Sequence, residues 1–381
     1  MSIVGDMTYR IAADLSINGT SIPFYTLAVD VNAFSMSSVI EATAPIYPLN
    51  ANFDPSKAID WGPVLQNNPL TPLKVKLGVS QVSGSTNTTT PVPLFDIEQG
   101  YVDETTDDYA ANELHIVGRS TASVFQDNRL GNSPSTGFAA NTPGSSFVQT
   151  LAQKRAFTNT QITASPGGVY IGAGYINNRQ VRAFRGMSEW DEMQQAAFND
   201  GYVLWVHNGL LYYGPPAQNA PTLSLAWGKD ISNLEVNHAA RRSHNVQLLG
   251  VGTVRKNGQR IQYAYPQNVS QNGAGEVIPI KFGWVRDQSE LVAKVQNAYS
   301  DIIKREFITT ITLVPGPQNL KFLAQNGANF VLQLTGAKPS HNKVYHAKQV
   351  RYELNADGDE PSLVVKIICE LHPLTASGYP G

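Results

Sequence analysis

Residues 187–215 constrain the fold more than any other part of the chain. Ser188 is placed to cap a helix, with Asp191 three residues on in the position of a capping-box acid. Trp190, Met193, Ala197 and Phe198 follow at helical spacing, and Asp200-Gly201 ends the pattern. Residues 202–206 then form an apolar strand, His207-Asn208-Gly209 a tight turn and residues 210–213 the returning strand. A short amphipathic helix and a two-stranded hairpin cannot each bury an apolar face alone, so a chain that runs one into the other must pack them together. The residues are those of a packing unit, with no reactive group among them.

Composition narrows the class. At 381 residues the chain is long enough for two or three domains. Charged residues make up 15%, against about 25% in an ordinary soluble domain. Ser, Thr, Asn, Gln and Gly fill the shortfall. A polar but sparsely charged surface suits a subunit covered by neighbours, because buried charges cost more than buried amides that find partners. A secreted all-β module shares this composition. The formal net charge of -2 supplies no basic surplus for general binding of nucleic acid. The single cysteine, Cys369, falls in an apolar strand pattern over residues 363–371, which fits a buried small hydrophobe and allows no disulfide framework. Residues 1–10 lack the basic start and apolar run of a signal peptide, and no window reaches the ~18 apolar residues of a membrane helix. The chain is therefore expected to be made in the cytoplasm without an export address. The triplets starting at Asn18, Asn87 and Asn268 are then chance glycosylation matches.

The chain divides into three sections. Residues 1–124 are β: a strand enters a turn at Asn18-Gly19, residues 25–34 alternate, and Leu73, Val75 and Leu77 occupy one face of a strand with Lys74 and Lys76 on the other. An uncharged loop over 80–93 is followed by strands at 94–102 and 114–117, as in an antiparallel barrel or sandwich. Residues 125–220 are mixed α+β. Thr142-Pro143 opens a helix there with Phe147, Leu151 and Phe157 on its apolar face, and the helix–hairpin unit follows. Residues 221–381 are again strand-rich with one long helix. Asp287 caps that helix, Glu290 completes the box, and Leu291, Val295, Ala298 and Ile302 form its stripe, expected to face a barrel core. Strands at 307–314, 344–354 and 363–371 complete the section. The fold class is mainly β: two antiparallel β-barrel domains joined by an α+β connector.

Chemistry is sparse. Gly228-Lys229 has Leu223 where a P-loop needs glycine, and Gly250-Val-Gly252, which fits a turn, lacks the third glycine of a dinucleotide fingerprint. No G-x-S-x-G elbow is present. His238 with His244, and His341 with His346, have no third ligand at zinc spacing. The loop from Asn355 carries Lys366 at its twelfth position, where an EF-hand needs Glu. Asp103, Glu104, Asp107 and Asp108 form an acidic run on what looks like a flexible turn, a candidate metal or glycosidase site or a solvated surface. Arg241 and Arg242, with Arg255, Lys256 and Arg260, are the densest basic patch, able to meet such an acidic run on another subunit. No cofactor is implied.

Four places in this order of elements resemble the baseplate hub proteins of contractile-tailed bacteriophages, a family shared with the hubs of type VI secretion spikes. They are Leu15-Ser-Ile-Asn-Gly19, Gly118-Arg119-Ser-Thr-Ala-Ser-Val124, the helix–hairpin from Ser188 to Leu211, and the closing hairpin over 344–371. The resemblance implies two tube-type barrels per subunit and a homotrimer whose six barrels form a ring. Such a ring joins the tail tube protein to the central spike protein, touches the baseplate wedge proteins and leaves a lumen for the genome. The place of action would be the virion tail. Lys74, Lys76, Asp103, Glu104, Asp107, Asp108, Arg241 and Arg242 are the candidate interface or lumen residues. Two rivals are a virion-associated peptidoglycan-degrading enzyme working through Asp107 and Asp108, and a glycan-binding adhesin displaying Tyr212 and Tyr213.

Overall fold

The computed structural model describes residues 8–32, 37–47, 70–82, 91–130, 142–167, 171, 174–176, 179–181, 187–216, 222–238, 246–256, 259–268, 276–285, 287–305, 307–356 and 361–372. Seven strands come from the first section: β1 (Thr8–Ile17), β2 (Thr20–Ile22), β3 (Thr26–Asn32), β4 (Val39–Pro45), β5 (Pro72–Val82), β6 (Phe95–Asp108) and β7 (Glu113–Ser120). The middle section holds α1 (Ser123–Gln126), α2 (Gly144–Lys154), β8 (Thr160–Ile162), β9 (Gly174–Ile176), β10 (Arg179–Val181), α3 (Glu189–Asp200), β11 (Val203–His207) and β12 (Leu210–Gly214). The last section begins with β13 (Leu223–Ala226), β14 (Ile231–His238), β15 (Val246–Lys256), β16 (Gln259–Asn268), β17 (Glu276–Trp284) and α4 (Gln288–Lys304). It continues through β18 (Phe307–Leu313), α5 (Pro317–Asn326), β19 (Val331–Thr335), β20 (Val344–Asn355) and β21 (Ser362–Leu371).

Period-two alternation governs the main sheet. Leu73, Val75, Leu77 and Val79 of β5 are buried while Lys74 and Lys76 stay half-exposed. On β20, Val350, Tyr352 and Leu354 are buried between half-exposed neighbours. Strands from both ends of the chain enter one 13-stranded sheet in the order β14-β18-β21-β20-β3-β4-β7-β6-β5-β1-β2, with β19 beside β20 and β13 beside β19. The joint is the antiparallel pair β3·β20, in which Asp30, Val29 and Ala28 lie opposite Arg351, Tyr352 and Glu353. One apolar core runs along this sheet, with Leu320, Leu323 and Ala324 of α5 packed into it. The mainly β class with antiparallel sheets is the observed one.

The helix–hairpin unit forms as its sequence dictates. Ser188 Oγ accepts the Asp191 amide at 3.0 Å, and Gly201 ends α3 at φ +70°, a conformation glycine adopts without penalty. Trp190, Met193 and Ala197 are buried with Leu204, Val206, Leu211 and Tyr213 in a second core, joined by Phe147, Val148 and Leu151 of α2. Phe198 departs from the expected stripe and is 36% exposed. Asn208 and Gly209 both have positive φ, the requirement of the two-residue turn whose twist matches the hairpin. Phe157 lies just past α2 and packs at the edge of this core.

The long helix is capped as expected, Asp287 Oδ1 accepting the Glu290 amide at 3.0 Å. Its stripe, however, does not face the main core. Leu291, Val295 and Ala298, with Ile302 beside them, pack on Leu248 and Val285 in a separate three-stranded sheet of order β16-β15-β17. The reason lies partly in Gly250 and Gly252, which belong to strand β15 rather than to a turn. A Cβ on Gly250 would come within 2.0 Å of Val295 Cγ2, so the missing side chain lets the helix sit directly on the strand.

Candidate functional site

The lysines of β5 lie among acids. Lys74 Nζ is 3.1 Å from Asp96 Oδ2, and Lys76 stands opposite Asp14 on β1 and Asp96 on β6. Opposite charges on neighbouring strands of an exposed face contribute little net energy but keep that face close to neutral.

The acidic run is not on a flexible turn. Asp103, Glu104, Asp107 and Asp108 all belong to β6, whose pairing with β7 continues through a register shift between Val102 and Glu104 to the pair Asp108–Glu113. The backbone ladder therefore holds the run extended. Arg119 of β7 binds Asp103 and reaches Asp127 at 3.1 Å and Gln126 Oε1 at 2.9 Å, tying the end of the first section to α1. Asp108 Oδ1 accepts the amides of Ala110 and Ala111 at 2.9 and 3.1 Å, so it closes the β6–β7 turn. Glu104 and Asp107 point to solvent. Arg241 and Arg242 lie outside the described residues, as do the side chains of Arg255, Lys256 and Arg260.

The features a rival function would use are spent on packing. Tyr213 is fully buried and donates to Asp200 Oδ2 at 2.5 Å, while Tyr212 is part-buried and donates to the Pro215 carbonyl at 2.8 Å; neither is an exposed aromatic platform. Ser165 also donates to Asp200, yet burial dominates and raises that carboxyl to about 6. His346 is buried 2.8 Å from Asn329 Oδ1, and burial, with Lys304, Lys348 and His372 nearby, pushes it down to about 3. Burial raises the Cys369 thiol far above its ordinary range, the setting of an inert cysteine. Among the described residues, no three His, Cys, Asp or Glu side chains are grouped to hold a metal ion.

Two buried ionic joints were not visible in the sequence. Glu189, fully buried at the start of α3, accepts from Arg155 at 2.7 Å and from Lys154 at 3.0 Å, which fastens α2 to α3. Glu98 of β6 is fully buried and faces His207 of β11. The available signal was an acid directly beside Ile97 in a strand whose other acids are exposed, which a charged-surface reading discards. On the opposite face of the main sheet, a shallow groove of about 560 Å³ crosses the β3·β20 joint, lined by Thr43, His115, Val117, Arg351, Glu353 and Val364 among others.

Solved structures with this geometry are consistent in kind. A tail protein from Neisseria meningitidis superposes with a TM-score of 0.61 at 12% identity, over 97% of this chain and 99% of its own. A 43 kDa prophage tail protein from Shewanella oneidensis gives 0.62 at 12% identity, over 94% and 98%. The chain has the fold of phage tail proteins. An Escherichia coli component of the type VI secretion system, itself described as similar to bacteriophage T4 tail proteins, shares that tail-protein fold at a TM-score of 0.50 and 8% identity, over 96% and 79%. No protein-family model matches the chain, and no curated protein matches it in sequence.

Proposed function

We propose that this chain is a structural hub of a contractile phage tail. The observation that carries the reading is the end-to-end correspondence with a tail protein, 97% of one chain against 99% of the other. In this reading residues 1–124 and 221–381 are two tube-type barrel domains, residues 125–220 connect them, and three copies close into a ring of six barrels. The ring joins the tail tube to the central spike and the wedge proteins in the virion baseplate and lets the genome through its lumen. Two properties support it. The β3·β20 ladder joins the two β sections in one sheet, which suits a load-transmitting ring. The sheet face with Lys74, Lys76, Asp14 and Asp96 is charge-balanced, and the chain is sparse in charge overall, which keeps the desolvation cost of covering it low.

The test is the solution mass of the purified chain, alone and mixed with candidate tube and spike proteins, with negative-stain imaging. Particles of three times 41.4 kDa with a central hole are expected. A monomer under both conditions overturns the trimeric ring, and turnover of peptidoglycan at enzyme-like rates overturns the purely structural role.

A further inference from the structure

His207 stands where all three sections of the chain meet. It ends β11 of the middle section, with 5% of its surface exposed. Its Nε2 lies 2.9 Å from the Ala324 carbonyl in the last turn of α5, and its Nδ1 lies 3.4 Å from Glu98 Oε2 on β6. Both ring nitrogens therefore face acceptors. A neutral imidazole carries one N–H and satisfies only one of them; the imidazolium satisfies both. The surroundings favour the charged form. Ala324 offers a carbonyl at a helix C-terminus, the negative end of the helix dipole. Glu98 supplies a buried carboxylate, held by the Asn208 amide at 2.9 Å and the Gln99 amide at 3.0 Å.

Among the described residues, the other groups around the ring bring no competing cation. Trp205 of the same strand stacks at 5.6 Å between centroids. The Asn208 side chain, 3.2 Å from Nε2, donates to the Asp96 carbonyl at 3.0 Å. Gly327 presents bare backbone, since a Cβ there would meet Trp205 at 2.5 Å and His207 Cγ at 2.9 Å. Tyr352 of β20 stands near Glu98, whose charge adds to burial in raising the tyrosine hydroxyl. Burial pushes His207 down, but Glu98 and the Ala324 carbonyl together outweigh it and hold the ring above its ordinary value.

We propose that His207 is a proton-controlled latch: protonated, it locks the β11–β12 hairpin to β6 on one side and to α5 on the other, and on losing its proton it releases one of the two. The sign follows from linkage. A histidine bound more tightly to its proton in the folded state adds stability below its unfolded value of about 6.5, and that stability is lost as pH rises through the higher folded value. The middle section then loosens from one of its two flanking β sections as pH rises through that folded value. This inference is independent of the hub assembly.

The test uses the full-length chain with labelled histidine, followed by NMR from pH 5.5 to 9 alongside amide hydrogen exchange. His207 is expected to titrate above the ordinary histidine value. Past that point the amides of β11, β12 and the last turn of α5 should exchange about tenfold faster than the intrinsic pH trend, while those of β1 and β5 follow the trend. In Glu98→Gln the titration should move down and the extra exchange should disappear. A wild-type His207 that titrates at or below the ordinary value overturns the latch. So does one that titrates high while the hairpin and α5 exchange no differently from the distant strands.

Discussion

Tyr352 on β20 lies directly opposite Val29 on β3, both buried, at the one joint among the described residues where strands from the two ends of the chain pair. Tyr352 is among the largest fully buried side chains of the protein. Truncation to alanine removes a fully buried ring from the core, at an expected cost of about 3–5 kcal/mol. Tyr352→Ala should therefore lower the urea midpoint sharply. Because the core is shared, fluorescence probes in the first and last sections should lose structure in a single transition. Two separated transitions would mean that the sections are energetically independent.

The caps of α3 are separable from its packing. Ser188→Ala removes the oxygen that accepts the Asp191 amide and should cost about 1 kcal/mol. Gly201→Ala should cost more, because its φ of +70° is strained for alanine and the new Cβ would come within 2.7 Å of Asn297 Oδ1 on α4. Thermal melting of the two variants tests the order; equal losses would contradict it.

Asp200 gives the fold an acid-side optimum at one contact. Its carboxyl is raised from 3.8 to about 6, chiefly by burial, so the folded state favours the protonated form. Its contribution is fully present below pH 3.8 and is lost as pH rises through about 6, a difference on the order of 3 kcal/mol. Asp200→Asn keeps an acceptor for Tyr213 and Ser165 without the charge. The stability gap between variant and wild type should widen in the variant's favour from pH 4 to 7, read from urea denaturation at each pH. A constant gap would show that the carboxyl is not perturbed.

Helix α4 and its small sheet should respond as a local unit. Gly250→Ala places a Cβ within 2.0 Å of Val295 Cγ2 and must push the helix away. Adding Val295→Ala removes the obstructing methyl and should recover part of the loss, a coupling of about 1 kcal/mol or more in a double-mutant cycle. Hydrogen exchange should locate the damage in β15, β17 and α4 and leave β5 protected. Additive effects of the two substitutions would mean that the helix does not sit on this glycine.

Local patterns proved readable where one physical rule acts alone. The Ser188 cap, the Asn208-Gly209 turn, the β5 alternation and the Asp287 cap all stand as the residues imply. Misreadings arose where tertiary pairing decides. The acids of 103–108 look like a turn by composition, yet the partner strand β7 keeps them extended. Gly250-Val-Gly252 looks like a turn because the helix it accommodates lies about 40 residues away in sequence. Helix α5 was missed although Gly316-Pro317 marks its start, a signal lost among strand-like neighbours. The Glu98–His207 joint was not legible, because one acid among several in a strand and a histidine beside a turn each have a commonplace surface meaning until the fold brings them together.

The pairing of Asp30 with Gln349, 319 positions apart, also sets a timetable. At synthesis rates of about 5–20 residues per second, β3 leaves the ribosome roughly 15–60 s before β20 exists to cover its hydrogen-bonding edge. Throughout that interval the nascent chain carries an open strand of alternating apolar residues, the kind of edge that pairs with other chains. The cell making this protein must keep that edge solitary, through chaperones or through low ribosome density on the message, until the last strands arrive.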